Sequence, residues 1–180
     1  LQSVSSARFV TPPLTRRKLE PLNALLNQFV ESVNFIQKCL EHSLTSRASL
    51  HRVACGEWKP KFNLETHWFH SAGQVVTQML RSWRRLRHKG QPDPGEQPVY
   101  EARAMRPELG AENSSGVRRF HGNSIQIRIR LGEHLWLPLV VTKRHELTCL
   151  QDWRRRKLKV GEITISVEPE KIPVQNCTGS

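Results

Sequence analysis

The chain has no closely spaced cysteines: Cys39, Cys55, Cys149 and Cys177 lie far apart, and no CxxC pair occurs. Disulfide frameworks and zinc knuckles both need closer or more regular spacing, so the four read as reduced thiols of an intracellular (cytoplasmic) protein. Metal ligands are equally scarce. Only His67 and His70 have ligand-like spacing, and without a second close pair they fall short of a structural zinc set. No apolar run approaches the roughly 18–20 residues that cross a bilayer, and no signal-peptide pattern opens the chain. The first residue is Leu1 rather than Met, which points to trimming or to a piece cut from a longer protein. Acids are in deficit, with 16 Asp and Glu against 28 Lys and Arg among 180 residues. Catalytic motifs are missing too. There is no P-loop, no GxSxG, no HExxH and no paired carboxylates with a supporting histidine. His51 and Cys55 stand four residues apart but lack a third group to orient them, so they do not make a nucleophile and base.

What is present is positive charge, a formal +12. A domain this basic meets polyanions, and DNA, RNA and anionic membrane all qualify; the lack of an apolar span makes membrane the weaker choice. The length suffices for a buried core.

Ala7-Arg8-Phe9-Val10, ended by Pro12-Pro13, reads as an entering strand. Apolar residues then recur at Leu19, Leu22, Leu26, Phe29, Val33, Ile36 and Leu40, in steps of three and four that put one stripe on a long helix capped by Thr15. A short helix is expected over Arg47–Val53, with a turn around Gly56 and Pro60. A second long helix is expected from about Leu64 to Lys89, capped by Asn63 and closed by Gly90 and Pro92. Its buried face would hold Leu64, Trp68, Val75, Val76, Met79, Trp83 and Leu86. Such helices need apolar partners, hence an antiparallel pair or small bundle.

Residues 90–115 are rich in Pro, Gly and Glu without a period and read as a linker. After them the period becomes two. Ser124–Leu131 alternates aliphatic with polar residues, Gly132-Glu133 reads as a turn, and Leu135–Val141 as a strand that Pro138 confines to an edge or bulge. A last strand is expected at about Leu158–Val167. The order predicts an α+β fold: a small antiparallel β-barrel or curled sheet into which a bundle of long α-helices is inserted. The barrel would comprise 1–15 and 116–180, and the helical domain 16–89.

The basic residues cluster. Arg81, Arg84, Arg85, Arg87, His88 and Lys89 crowd the end of the second long helix. Two or three cations there would satisfy the helix dipole, but five lysines or arginines within nine positions repel one another. That favours phosphate binding. Arg118 and Arg119 precede the first hairpin strand, Arg128 and Arg130 share its polar face, Lys143 and Arg144 follow it, and Arg154, Arg155 and Arg156 precede the last strand. Each group alone could be a solvated strand edge that deters aggregation; their repetition on both halves favours one polyanion-binding groove. Gln74, Gln78 and Asn123 could reach sugars or base edges. Of the five tryptophans, Trp68 and Trp83 belong to the core by spacing, and Trp58 and Trp153 are the stacking candidates in loops.

Three stretches, Phe120-His121-Gly122-Asn123-Ser124-Ile125-Gln126-Ile127, Leu135-Trp136-Leu137-Pro138-Leu139 and Lys159-Val160-Gly161-Glu162-Ile163-Thr164-Ile165, resemble the N-terminal half of the TnpB family. These are transposon-encoded RNA-guided DNA nucleases related to type V CRISPR effectors. The helix with Phe29, Val33, Asn34, Phe35 and Ile36 is similar to the family's first recognition helix. The resemblance implies an OB-like wedge barrel that grips guide RNA and a helical recognition lobe that holds the guide–target heteroduplex with target DNA. The family's RuvC-like nuclease, where magnesium would bind, has no counterpart here, so the resemblance implies no cofactor in this chain itself. A guide-independent DNA-binding transposase or regulator domain and a basic protein-interaction scaffold remain the alternatives.

Overall fold

The structure is a computed structural model that describes residues 8–39, 47–88, 99–102, 104–107, 118–121, 123–154 and 164–167. Three helices form its centre: α1 (Arg16–Cys39), α2 (Arg47–Phe62) and α3 (Thr66–His88). Each packs on the other two. The α1 stripe folds as its spacing dictates, burying Leu22, Leu25, Leu26, Phe29, Val33 and Ile36. Its start is set by Thr15, whose carbonyl accepts from the amides of Lys18 and Leu19 at 2.8 and 2.9 Å. Aromatic edges lock the bundle. The Phe29 ring meets Trp68 edge-on at 5.9 Å, and Trp58 meets Phe69 at 5.5 Å.

The second helix runs nine residues past the expected Val53, through Gly56 and Pro60, to Phe62. Leu50, Ala54, Trp58 and Phe62 recur every four residues and all are buried; that stripe outweighs the local cost of a proline in the last turn. Asn63 then adopts a left-handed φ of 47° and its amide donates to the Lys59 carbonyl, so it ends α2 rather than starting α3.

A three-stranded antiparallel sheet follows, β2 (Arg118–His121), β3 (Ser124–Arg130) and β4 (Glu133–Pro138), in the order β2-β3-β4. Gly132, at φ +80°, makes the turn between β3 and β4. A helix that the sequence reading did not foresee, α4 (Arg144–Arg154), succeeds the sheet. Two short strands, β1 (Ala104–Met105) and β5 (Ile165–Ser166), pair with each other.

The expected β-barrel with an inserted helical bundle is therefore not the fold. Among the described residues there are four helices and two small separate antiparallel sheets, and no closed barrel. The reason lies in where the aliphatic faces go. Ile125, Ile127, Leu135 and Leu137 of β3 and β4 join the same core cluster as the helices, so the sheet covers the bundle instead of enclosing a core of its own. The described end of the last strand pairs with β1 and not with the hairpin. The entering strand contributes one bridge, the Val140 amide donating to the Val10 carbonyl at 2.8 Å.

Part of the stretch read as a linker also enters this core. Met105 is fully buried, and Asn34 of α1 holds Tyr100 by two hydrogen bonds, receiving from its amide at 2.9 Å and donating to its carbonyl at 3.1 Å. Residues 90–98 and 108–115 lie outside the described residues.

Candidate nucleic-acid interface

Helical spacing puts Gln74, Gln78, Arg81 and Arg85 on one side of α3, and all four are exposed. Arg84 is half-buried beside them. The opposite side of α3 faces the core through Trp68, Phe69, Ala72, Val76 and Leu80. Leu86, expected on the buried face, is 44% exposed. Gln78 is already engaged, its Oε1 accepting from Arg106 Nη1 at 2.6 Å. Arg87 lies in α3 but its side chain is not among the described residues, and Lys89 lies outside them.

The sheet presents a second polar surface. Strand alternation sends Ile125, Ile127, Leu135 and Leu137 into the core, so the intervening residues of β3 and β4 face away from it. Residues directly opposite in an antiparallel pair share a face. The register sets Gln126 between Arg119 of β2 and Trp136 of β4, and sets Arg128 across from His134. Ser124 lies between His121 and Pro138 on the same face. Arg118 is placed across from Ile127, on the core-side row. The side chains of Arg118 and Arg119 are not among the described residues.

A bulge between Arg128 and Arg130 breaks the alternation that would have kept these two arginines together. Arg130 instead forms a surface ion pair with Glu133. Inside the bulge, the Ile129 carbonyl accepts from the Glu65 amide and the Arg128 carbonyl from the Trp68 indole. The bulge thereby docks β3 on the start of α3.

Asn123 is exposed in the β2–β3 turn, its carbonyl accepting from the Leu139 amide at 2.7 Å. Lys143 and Arg144 are exposed at the start of α4. Glu146 closes that helix end. Its Oε2 accepts from the Thr142 and Lys143 amides at 3.0 and 3.1 Å and from the Thr142 hydroxyl at 3.2 Å. Burial against the helix end pushes the Glu146 carboxyl up, but the Lys143 and Thr142 hydrogen bonds and the Lys143 charge outweigh it and hold the group below its ordinary value. Arg154 is the last residue of α4, with its side chain undescribed, and Arg155 and Arg156 lie outside the described residues.

Two tryptophan assignments change places. Trp58, expected in a loop as a stacking residue, is fully buried in α2, and its Nε1–H donates to Ser32 Oγ at 2.5 Å. Trp136, not among the stacking candidates read from the sequence, is 39% exposed on the polar face of the sheet. Its even position between Leu135 and Leu137 is the signal that could have found it. Trp153 lies in α4, its side chain undescribed.

Other reactive groups are muted. Burial, then the Glu57 charge, raises the Cys39 thiol against an opposing Lys61. Burial raises Tyr100, whose hydroxyl donates to the Ala104 carbonyl at 2.8 Å. Among the described residues, no group of three or more His, Cys, Asp or Glu could hold a metal ion. No helix among them is long and apolar enough to cross a membrane.

The chain is similar to the uncharacterized protein MJ0752 of Methanocaldococcus jannaschii, with 43% identity over 56 residues that make up 29% of this chain and 74% of that protein. It belongs to the same family as that protein. No protein-family model matches the chain, and no solved structure matches it.

Proposed function

We propose that this chain is the nucleic-acid-binding portion of an RNA-guided DNA endonuclease of the TnpB kind, one that holds guide RNA and the guide–target heteroduplex by backbone and shape while base pairing supplies sequence. The observation that carries this reading is the exposed stripe of Gln74, Gln78, Arg81 and Arg85 along one side of α3. Cations spaced along one exposed helical face, in a chain of net charge +12, match a phosphate backbone better than they serve a helix end. The sheet adds Arg128 and His134 on its polar face, and Asn123, Lys143 and Arg144 are exposed near its ends. The resemblance of residues 120–127, 135–139 and 159–165 to the TnpB family supplies the guide RNA and the intracellular setting. Cutting, and the magnesium it uses, would belong to a nuclease domain and to none of the residues described here.

Purifying the chain without nuclease treatment and sequencing the nucleic acid that comes with it tests the reading. A single discrete RNA, released by high salt, is the expected result. Mixed nucleic acid, or none, would overturn guide binding and favour a guide-independent DNA-binding module or a protein-binding one.

A further inference from the structure

We propose that Cys149, with His145 beside it, is a modification site at which the thiol takes up one half of an acidic low-molecular-weight disulfide. The site stands apart from the nucleic-acid reading above. Both residues lie on α4, four positions apart, and that spacing brings the imidazole to the sulfur. His145 Nε2 is 3.5 Å from Cys149 Sγ, and Nδ1 is 4.0 Å from it. Glu146 and Leu150 take the buried side of the helix, whereas His145 is exposed and Cys149 half-buried. A reagent can therefore reach the sulfur while the ring meets both the thiol and water.

Cys149 is the exception among the described cysteines. Cys55 stands at the same spacing from His51, but it is only 4% exposed, and the His51 ring stacks on His70 instead at 5.7 Å. Burial and the Glu57 charge favour the protonated form of the Cys39 thiol. Charge selects the reagent. Lys143 and Arg144 are exposed at the start of α4, at the positive pole of the helix. Glu146 is turned onto the Thr142 and Lys143 amides, and Asp152 is half-buried further along the helix. A disulfide that carries carboxylates, such as oxidised glutathione, is drawn to this end.

The Cys149 proton passes to His145 Nε2, and the thiolate attacks one sulfur of the reagent. A bond forms between Sγ and that sulfur as the reagent's own S–S bond breaks. The other half leaves as a thiolate and takes the proton back from His145. Cys149 is oxidised to a mixed disulfide, and the departing half is reduced to a thiol. A thiolate is nucleophile enough that the imidazole needs no third group to orient it.

The test incubates the reduced full chain with oxidised glutathione and follows the adduct at each of the four cysteines by peptide mapping, in buffer and in guanidinium. Cys149 should react faster in the folded chain than in the unfolded one, and Cys39 and Cys55 more slowly. His145→Gln, with a thermal melt that matches wild type, should slow folded Cys149 several-fold and leave its unfolded rate unchanged. The folded-to-unfolded ratio at Cys149 should be larger for oxidised glutathione than for the neutral hydroxyethyl disulfide. If the variant does not fold, the wild-type ratio decides alone. A Cys149 that reacts no faster folded than unfolded, or that is indifferent to His145→Gln, would overturn the site. Equal ratios for the two reagents would overturn the choice of an acidic one.

Discussion

The indole Nε1–H of Trp68 donates to the carbonyl of Arg128 at 2.8 Å, across 60 residues of sequence. One bond thus joins the first turn of α3 to the bulge in β3, and with it the helix that carries Arg81 and Arg85 to the strand that carries Arg128. The bond is partly buried, and a carbonyl left there without its donor costs more than the bond itself stabilises. Trp68→Phe keeps the edge-on contact with Phe29 and removes the donor. It should lower stability by about 1–3 kcal/mol, read as a fall in melting temperature of roughly 2–4 °C per kcal/mol for a chain of this size. An unchanged melt would mean that the sheet does not depend on this anchor.

Asn34 holds the Tyr100 backbone from both sides. Asn34→Ala removes both bonds and should free residues 99–107 before the bundle unfolds. Hydrogen exchange at these amides should rise well above that of α1, while RNA affinity stays near wild type. Equal protection in the variant would show that Met105 burial alone holds the segment.

Glu146 should make α4 sensitive to acid. Its folded carboxyl is held below the ordinary value of 4.5, so the stabilisation is complete above that pH and is lost as pH falls through the lowered value. The gap in melting temperature between wild type and Glu146→Ala should be widest near neutrality and close as the carboxyl protonates. A gap that does not change with pH would assign the effect to packing rather than to the charge.

Arg130 is held by Glu133 in a pair whose side chains are 55% and 44% exposed. Surface pairs of this kind contribute about 0.2–1 kcal/mol, so Glu133→Gln should barely move the melt. It should tighten nucleic-acid binding a few-fold by freeing a cation and removing a negative charge. Weaker binding in that variant would show that the pair positions Arg130 for its ligand.

The helices were legible where a stripe was unbroken. Leu22, Leu26, Phe29, Val33 and Ile36 gave α1 directly, and Val75 and Val76 belonged to the buried side of α3 as expected. The length of α2 was missed because Gly56 and Pro60 read as punctuation, although Leu50, Ala54, Trp58 and Phe62 keep a four-residue step through them. The hairpin was legible from its two-residue period and from Gly132. Its destination was not, since Ile125, Ile127, Leu135 and Leu137 would look the same lining a barrel or capping a helical bundle. The start of α4 was written as Thr142-Lys143-Arg144-His145-Glu146, a capping pattern overshadowed by its charge. For the candidate interface, the exposed arginines of α3 followed from spacing. The exposure of Trp136 needed the register, because an aromatic among leucines reads as core until its face is known.

The salt dependence of binding to an unpaired RNA tests the central claim most directly. The logarithm of the association constant should fall linearly with the logarithm of salt concentration, by roughly 0.7 for each phosphate neutralised. Replacing Arg81, Arg84 and Arg85 together with glutamine should make that slope shallower by about two. A near-zero slope in wild type, or a steep one that the triple variant leaves unchanged, would contradict phosphate binding along α3.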